Sequence, residues 1–364
     1  MSFRAEPAFR HGQRPRTAVL LVNLGTPDEP TAPALRRYLA EFLSDLRVVE
    51  ISPRFVWWFI LHGVILRIRP KQSAAKYASV WMPEGSPLAV WTKRQTAALA
   101  EALAARGHDL LVRHAMRYGN PSIASVMDSL RAEGATRVLV LPAYPQYAAA
   151  TTASVADKVL AWSTQARRMP ELRFVNEYHD DVGYIAALAD RLRAHWAEHG
   201  RGDKLVLSFH GVPERSLLLG DPYHCQCHKT ARLLAQALGL PHEQVVVTFQ
   251  SRFGKAKWLE PYTEPTLEKL AAEGLKRVDV MCPGFTADCL ETLEEIAQEA
   301  RDAFLAAGGE RFDYVPCLNA EPAWIEAMAT LAERHLGGWD TKSAPDAAEL
   351  KTSRDNALAL GAKD

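Results

Sequence analysis

The chain has 364 residues, 48% of them apolar and 24% charged, and its 43 basic residues balance 43 acidic ones. That length exceeds one ordinary core and points to two domains of a globular protein in water. Zero net charge argues against a nucleic-acid polyanion as main partner, and five cysteines without framework spacing read as reduced thiols of a cytoplasmic protein.

The N-terminal arm, residues 1–16, carries Arg4, Arg10, Arg14 and Arg16 but no apolar stretch of signal-peptide length. A first buried strand is expected at Thr17–Leu24. Its exit, Asn23-Leu24-Gly25-Thr26-Pro27, has one glycine and then a proline, so neither G-x-G-x-x-G nor a P-loop is present and no nucleotide site is expected. Residues 56–66, Val56-Trp57-Trp58-Phe59-Ile60-Leu61-His62-Gly63-Val64-Ile65-Leu66, are unusually apolar and are flanked by Arg54, Arg67, Arg69 and Lys71. The segment is too short to span a bilayer. It reads as a buried helix or as an amphipathic lip dipping among anionic head groups.

Apolar spacing of three and four then predicts a helix at Pro87–Ala105, followed by a strand at Leu110–Arg117, a helix at Ser122–Glu133 and strands at Arg137–Pro142 and Leu172–Glu177. The second half repeats the scheme. Helices are expected at Val182–His199, Cys227–Leu238, Thr263–Glu273 and Leu290–Ala307. Strands are expected at Lys204–Phe209, Gln244–Phe249, Arg277–Met281 and Phe312–Pro316. A helix at Pro322–Leu336 follows. After Gly337-Gly338 the polar tail is expected to be mobile, with a short helix near Ala347–Leu350.

The strands do not alternate, as expected for parallel strands covered on both faces. Strand alternating with helix means βαβ units. Eight strands split four and four, which gives two similar Rossmann-like α/β domains with a cleft between them. The boundaries are set at 17–178, with the lip at 53–70; 179–320; a helix at 321–337 packing back on the first domain; and a tail at 338–364.

Ligands of open parallel sheets bind beyond the carboxyl ends of strands. Two expected strand ends deliver polar groups there. One is Ser208-Phe209-His210-Gly211-Val212-Pro213. The other is Cys282-Pro283-Gly284-Phe285, followed by Asp288 and Glu291. Histidine titrates near neutrality and suits proton acceptance, though it also ligates metals. Glu291, Glu295 and Glu299 are spaced by four on the expected helix, and Glu294 flanks them. They read as a solvated acidic face or as an oxygen-ligand path for a hard divalent ion. His224-Cys225-Gln226-Cys227-His228 has one residue between its cysteines and no second pair, so it is read as an ordinary helix start, not a closed zinc site. Cys282 and Cys317 read as small core residues.

Seven segments in order resemble the ferrochelatase family, from about Ala18 to Leu336. They are Leu21-Val22-Asn23-Leu24-Gly25-Thr26-Pro27; Ser86-Pro87-Leu88 with Trp91-Thr92 and Gln95; Met116-Arg117-Tyr118-Gly119-Asn120-Pro121; Ala143-Tyr144-Pro145-Gln146-Tyr147; the His210 segment with Gly220-Asp221-Pro222-Tyr223; Phe249-Gln250-Ser251-Arg252-Phe253-Gly254 with Trp258-Leu259; and the Glu291 segment.

The resemblance implies a chelatase-like fold and insertion of Fe2+ into protoporphyrin IX. It implies His210 and Glu291 as catalytic residues, and His210, Glu291, Glu295 and Glu299 along the metal's route. Leu24, Arg117, Tyr118, Tyr144, Ser251, Trp258 and Phe285 become candidate porphyrin contacts, with Arg117 reading equally as a propionate partner or an interdomain ion pair. The lip becomes one side of the porphyrin cleft. Two departures stand out. Cys289 occupies a position where many relatives have histidine, and Ala149 stands where some relatives place an iron–sulfur cysteine, with no cysteine after Cys317. No iron–sulfur cluster and no resident cofactor are expected. A cobalt chelatase acting on a corrin precursor and a non-catalytic porphyrin or haem carrier are the competing readings. The apolar lip disfavours the former, and the carboxylate ladder the latter.

Overall fold

The computed structural model describes residues 3–254, 256–342 and 346–363. All eight expected strands form. The first half runs β1 (Arg16–Thr26), α1 (Ala32–Ser44), α2 (Arg54–Ile60), a π-helical turn at Leu61–Ile65, α3 (Leu66–Val80), α4 (Pro87–Ala105), β2 (Leu110–Gly119), α5 (Ile123–Ala132), β3 (Ala135–Pro142), a second π turn at Ala149–Ala153, α6 (Ser154–Ser163) and β4 (Glu171–Phe174). The second half runs α7 (Val182–His199), β5 (Lys204–His210), α8 (Glu214–Leu218), α9 (Tyr223–Leu238), β6 (Val245–Gln250), α10 (Thr263–Ala272), β7 (Arg277–Met281), a π helix at Glu291–Ala300, α11 (Arg301–Ala306), β8 (Arg311–Val315), α12 (Pro322–Leu336) and α13 (Ala347–Ala359).

The strands form two four-stranded sheets, ordered β2-β1-β3-β4 and β6-β5-β7-β8. Every pairing is parallel. In each sheet the first strand lies between the second and the third. β1 and β5 therefore sit at the switch points where α/β crevices open.

Local chemistry explains the ends of several elements. Ser86 accepts from the Ala89 amide with Pro87 in the first turn of α4, and Asp181 caps α7 through Tyr184 N. Gly25 has φ 114°, and a Cβ there would lie 1.8 Å from the Tyr118 carbonyl oxygen, so β1 can approach β2 this closely only with glycine.

One core cluster joins the two sheets. Val19, Leu21, Leu139 and Leu141 of the first share it with Leu205, Leu207, Phe209 and Met281 of the second and with Trp324, Met328 and Leu331 of α12. Hydrogen bonds also cross between the halves. Gln95 Nε2 donates to Thr286 O and Asn319 O, both at 2.8 Å, and Tyr147 N donates to Gln226 Oε1 at 2.7 Å. Among the described residues no helix is long and apolar enough to cross a membrane.

Three expectations need correction. α1, α3, α6 and the short α8 were not among the expected helices; α1 and α6 do carry apolar stripes, Leu35, Tyr38, Leu39 and Leu43 in one and Val155, Val159 and Trp162 in the other, whereas α3 has no clear stripe and contains Pro70. The tail is helical over 13 residues, not a single turn. It lies against the N-terminal arm, where a Cβ on Gly12 would come within 2.7 Å of the Leu350 carbonyl oxygen. Residues 1–2, 343–345 and 364 of the arm and tail lie outside the described residues. The third correction concerns the acidic helix. It is π-helical from Glu291 to Ala300, with i→i+5 bonding, and becomes α only from Arg301.

Candidate active site

β5 is buried from Leu205 to Phe209 and ends at His210, which is half-buried. Gly211 turns the chain against Trp258; a Cβ there would meet Gln250 O at 2.7 Å and the indole at 3.1 Å. His210 Nδ1 lies 2.6 Å from Gly211 O. A carbonyl only accepts, so Nδ1 carries a proton, which leaves Nε2 as the ring nitrogen available for proton or metal chemistry. Tyr223, buried at the start of α9, donates its hydroxyl to His210 O at 2.9 Å and fixes the backbone behind the ring.

Glu291 opens the π helix beyond β7. The loop before it is held by buried Asp288, whose carboxylate accepts from Tyr314 Oη at 2.5 Å, Asn319 Nδ2 at 2.6 Å and Thr292 Oγ1 at 3.2 Å. Gln250 Nε2 donates to the Glu291 carbonyl at 2.9 Å. Among the described residues no lysine or arginine pairs with the Glu291 carboxylate. Its neighbours are Tyr77 and Cys289. Burial, reinforced by the Glu291 charge, pushes both the Tyr77 hydroxyl and the Cys289 thiol well above their ordinary ranges. Both therefore stay protonated around the carboxylate.

His210 and Glu291 line one cavity with Leu24, Tyr144, Trp258 and Phe285. It encloses about 150 Å³ and opens into a mouth of about 750 Å³, the two sharing Val48, Val212, Pro213, Phe253 and Trp258. Arg47, Arg215 and Lys257 border the mouth. Each is paired, to Asp157, Glu50 and Glu214 respectively. Aromatic and aliphatic walls with few polar groups suit a flat apolar ring carrying acidic substituents.

The remaining candidates lie elsewhere. Arg117 and Tyr118 are buried behind the wall. The Arg117 guanidinium pairs with Asp45 and donates Nε to Ser154 O at 2.9 Å, while Tyr118 Oη donates to Asp45 at 2.8 Å. Asp45 is the charge partner that sequence did not offer; it belongs to the same half as Arg117, so the pair is neither a propionate clamp nor an interdomain bridge. Burial raises the Asp45 carboxyl, but hydrogen bonds from Ser154, Arg47 N and Tyr118, with the Arg117 charge, outweigh that and hold it below its usual value.

The ladder divides as well. Spacing of four keeps Glu291, Glu295 and Glu299 near one face of the helix, but their partners differ. Glu295 accepts from Ser251 N at 2.6 Å and Gln250 Nε2 at 3.2 Å, and the Ser251 hydroxyl also binds it. Glu299 and buried Glu294 share Lys76, at 2.8 and 2.9 Å. Among the described residues no three His, Cys, Asp or Glu side chains converge on a metal position.

The lip divides too. Trp57 is buried and donates Nε1 to Leu43 O at 2.7 Å. Phe55, Trp58, Phe59, Val64 and Ile68 are exposed, beside exposed Arg67, Arg69 and Lys71. Arg69 reaches across the mouth to lie 5.7 Å from the Phe253 ring centroid. Exposed Leu218 and Leu219 form the opposite rim. Cys282 and Cys317 are buried in the second core.

Tyr223, Tyr77 and Lys76 shape the site and were not singled out beforehand. Tyr223 had a signal, since it ends the Gly220–Tyr223 segment. Tyr77 and Lys76 had none, because α3 shows no clear amphipathic stripe.

Comparisons with known proteins bear on the family and the fold. A sequence model of the ferrochelatase family matches residues 16–336. Ferrochelatases of Polaromonas sp. and Methylibium petroleiphilum are 65% and 67% identical, each over the full length of both chains. That of Dechloromonas aromatica is 61% identical over 99% of both. Among solved structures, SirB from Bacillus subtilis with Fe3+ superposes with a TM-score of 0.53 at 12% identity, covering 91% of this chain and 100% of that one, which is a likeness of fold.

Proposed function

The chain belongs to the ferrochelatase family and inserts ferrous iron into protoporphyrin to give haem, and we propose that it does so in the cavity between the sheets, with His210 and Glu291 handling the protons. Metallation replaces two pyrrole N–H protons with one divalent cation. The lone pair on His210 Nε2 accepts one proton. Glu291, whose carboxylate has no lysine or arginine partner among the described residues and lies beside protonated Tyr77 and Cys289, accepts the other or meets the incoming ion.

The walls formed by Leu24, Tyr144, Trp258 and Phe285 hold the ring against both groups and exclude water. The enclosed cavity is smaller than a porphyrin, so the ring spans cavity and mouth together. Its acidic substituents then lie toward Arg47, Arg215 and Lys257. Iron is a substrate here. The reading includes no resident cofactor and no iron–sulfur cluster, since position 149 is alanine and no cysteine follows Cys317.

The single observation that carries the reading is that His210 and Glu291, delivered by different strand ends, line the same cavity. The exposed apolar lip beside three basic residues supports a second element: a cytoplasmic protein that docks on an anionic membrane face and takes up a poorly soluble porphyrin there. The test is an anaerobic assay with Fe2+ and protoporphyrin, run beside coproporphyrin and beside Co2+ with a corrin precursor. Haem formation from protoporphyrin supports the reading. Turnover only with cobalt and the corrin precursor, or porphyrin binding without metallation, contradicts it.

A further inference from the structure

α9 carries a feature that metallation does not use. His224 and His228 are one helical turn apart, with ring centroids 4.5 Å from each other. Both rest on Phe249, His224 stacked at 5.7 Å and 20° and His228 at 6.3 Å. The two rings face an outer groove between α9 and β6, which His242 and exposed Cys225 also line. Neither ring lines the cavity of His210 and Glu291.

We propose that His224 and His228 form a second, bidentate site for a borderline divalent transition metal on this outer face. Imidazoles at i and i+4 point the same way along a helix, which is how paired histidines grip zinc on a single helix. Metal–nitrogen bonds of about 2.0–2.1 Å in tetrahedral geometry need the two nitrogens about 3.3 Å apart. Rings already 4.5 Å apart at their centroids reach that by rotation of the side chains.

Both rings pack on the Phe249 face, which holds them on the same side of α9. The charge of neighbouring Lys229 is tied to Asp180 at 2.5 Å.

The thiols do not form the chelate that the Cys-x-Cys spacing suggests. Cys227 is buried and its thiol is pushed well above the ordinary range by burial, while Cys225 faces solvent. With no three donors converging among the described residues, water fills the remaining positions. Such a site prefers Zn2+, Ni2+ or Cu2+, which imidazole suits, and exchanges readily. It would lie next in the chain to Tyr223, whose hydroxyl holds the His210 carbonyl.

Ni2+ is the probe. Crystals of the full chain soaked in NiCl2 should show an anomalous peak between the two rings. Equilibrium dialysis should show a Ni2+ site that weakens about tenfold or more in His228→Gln, as expected when a ligand is lost, and persists in His210→Ala. His228 is exposed, so its variant should melt like the parent, and His224→Gln provides a second check. An anomalous peak confined to the cleft, or equal Ni2+ binding in parent and His228→Gln, would overturn the proposal.

Discussion

Glu294 and Glu299, five residues apart, close on the same ammonium, Lys76 Nζ, at 2.9 and 2.8 Å. An α-helix stacks residues three and four apart; a π helix also stacks those five apart. The widened turn thus gives one acidic pair to a lysine of α3 and frees Glu291 for the cavity. Glu294 is 7% exposed, and its pKa is raised by burial against the opposing pull of Lys76.

Lys76→Ala should therefore cost about 1–2 kcal/mol at neutral pH, a value discounted for the half-exposed ammonium. The sign follows from linkage. A raised carboxyl loses stability as pH rises, and removing Lys76 raises it further. The deficit relative to the parent should shrink as pH falls through the raised folded values of Glu294 in parent and variant, where the protonated carboxyl no longer draws on the ammonium, and should be gone below both. Urea titrations at neutral and acid pH check this.

Ser251 has φ 67°, a left-handed conformation rare for serine, and its amide and hydroxyl both bind Glu295. Glu295 therefore anchors the turn after β6. Glu295→Ala should lower stability by about 2–3 kcal/mol, since charged hydrogen bonds are lost and the strained residue is released. Glu295→Gln should retain part of the anchor. If the alanine variant melts like the parent and only its Fe2+ requirement rises, Glu295 serves the metal instead.

Much of this was legible in the sequence, for physical reasons. Non-alternating runs such as Lys204–Phe209 belong only to strands covered on both faces, and β5 formed there. Leu24, Tyr144, His210, Trp258, Phe285 and Glu291 meet in one cavity because strand ends of a parallel sheet share one rim. The parts that were not legible depend on distance in space. Nothing local to Arg117 reveals Asp45 as its partner. A spacing of four at Glu291, Glu295 and Glu299 implies a common face, but it does not reveal that Glu295 binds Ser251 and Gln250 or that Glu294 and Glu299 share Lys76 of α3.

The two neighbouring tryptophans should behave oppositely. Trp58→Ser should weaken binding to anionic vesicles and leave the melting temperature nearly unchanged, because its ring is exposed. Trp57→Ser should cost about 3–5 kcal/mol from a cavity and a lost hydrogen bond to Leu43 O. Vesicle flotation beside thermal melts separates them. Unchanged vesicle binding in Trp58→Ser would remove the membrane reading.

Asp45→Asn should destabilise the protein by about 3 kcal/mol at neutral pH, because it leaves the buried Arg117 guanidinium without its counter-charge. The Asp45 carboxyl is held below its usual value, so its contribution is full above the unfolded value of about 3.9 and is lost as pH falls through the folded value. Parent and variant should converge in acid. A constant gap down to the lowest pH at which both fold would show that shape, not charge, sets the cost.

The central claim is that His210 and Glu291 act on a porphyrin held by the cavity walls. Its most direct test is anaerobic haem formation by His210→Ala, with porphyrin binding followed by fluorescence in the same samples. The account predicts porphyrin affinity within about tenfold of the parent, since the walls carry most of the buried area, and a turnover lower by about 10²–10⁴, the usual worth of a positioned base. Turnover near the parent rate with intact porphyrin binding would contradict it.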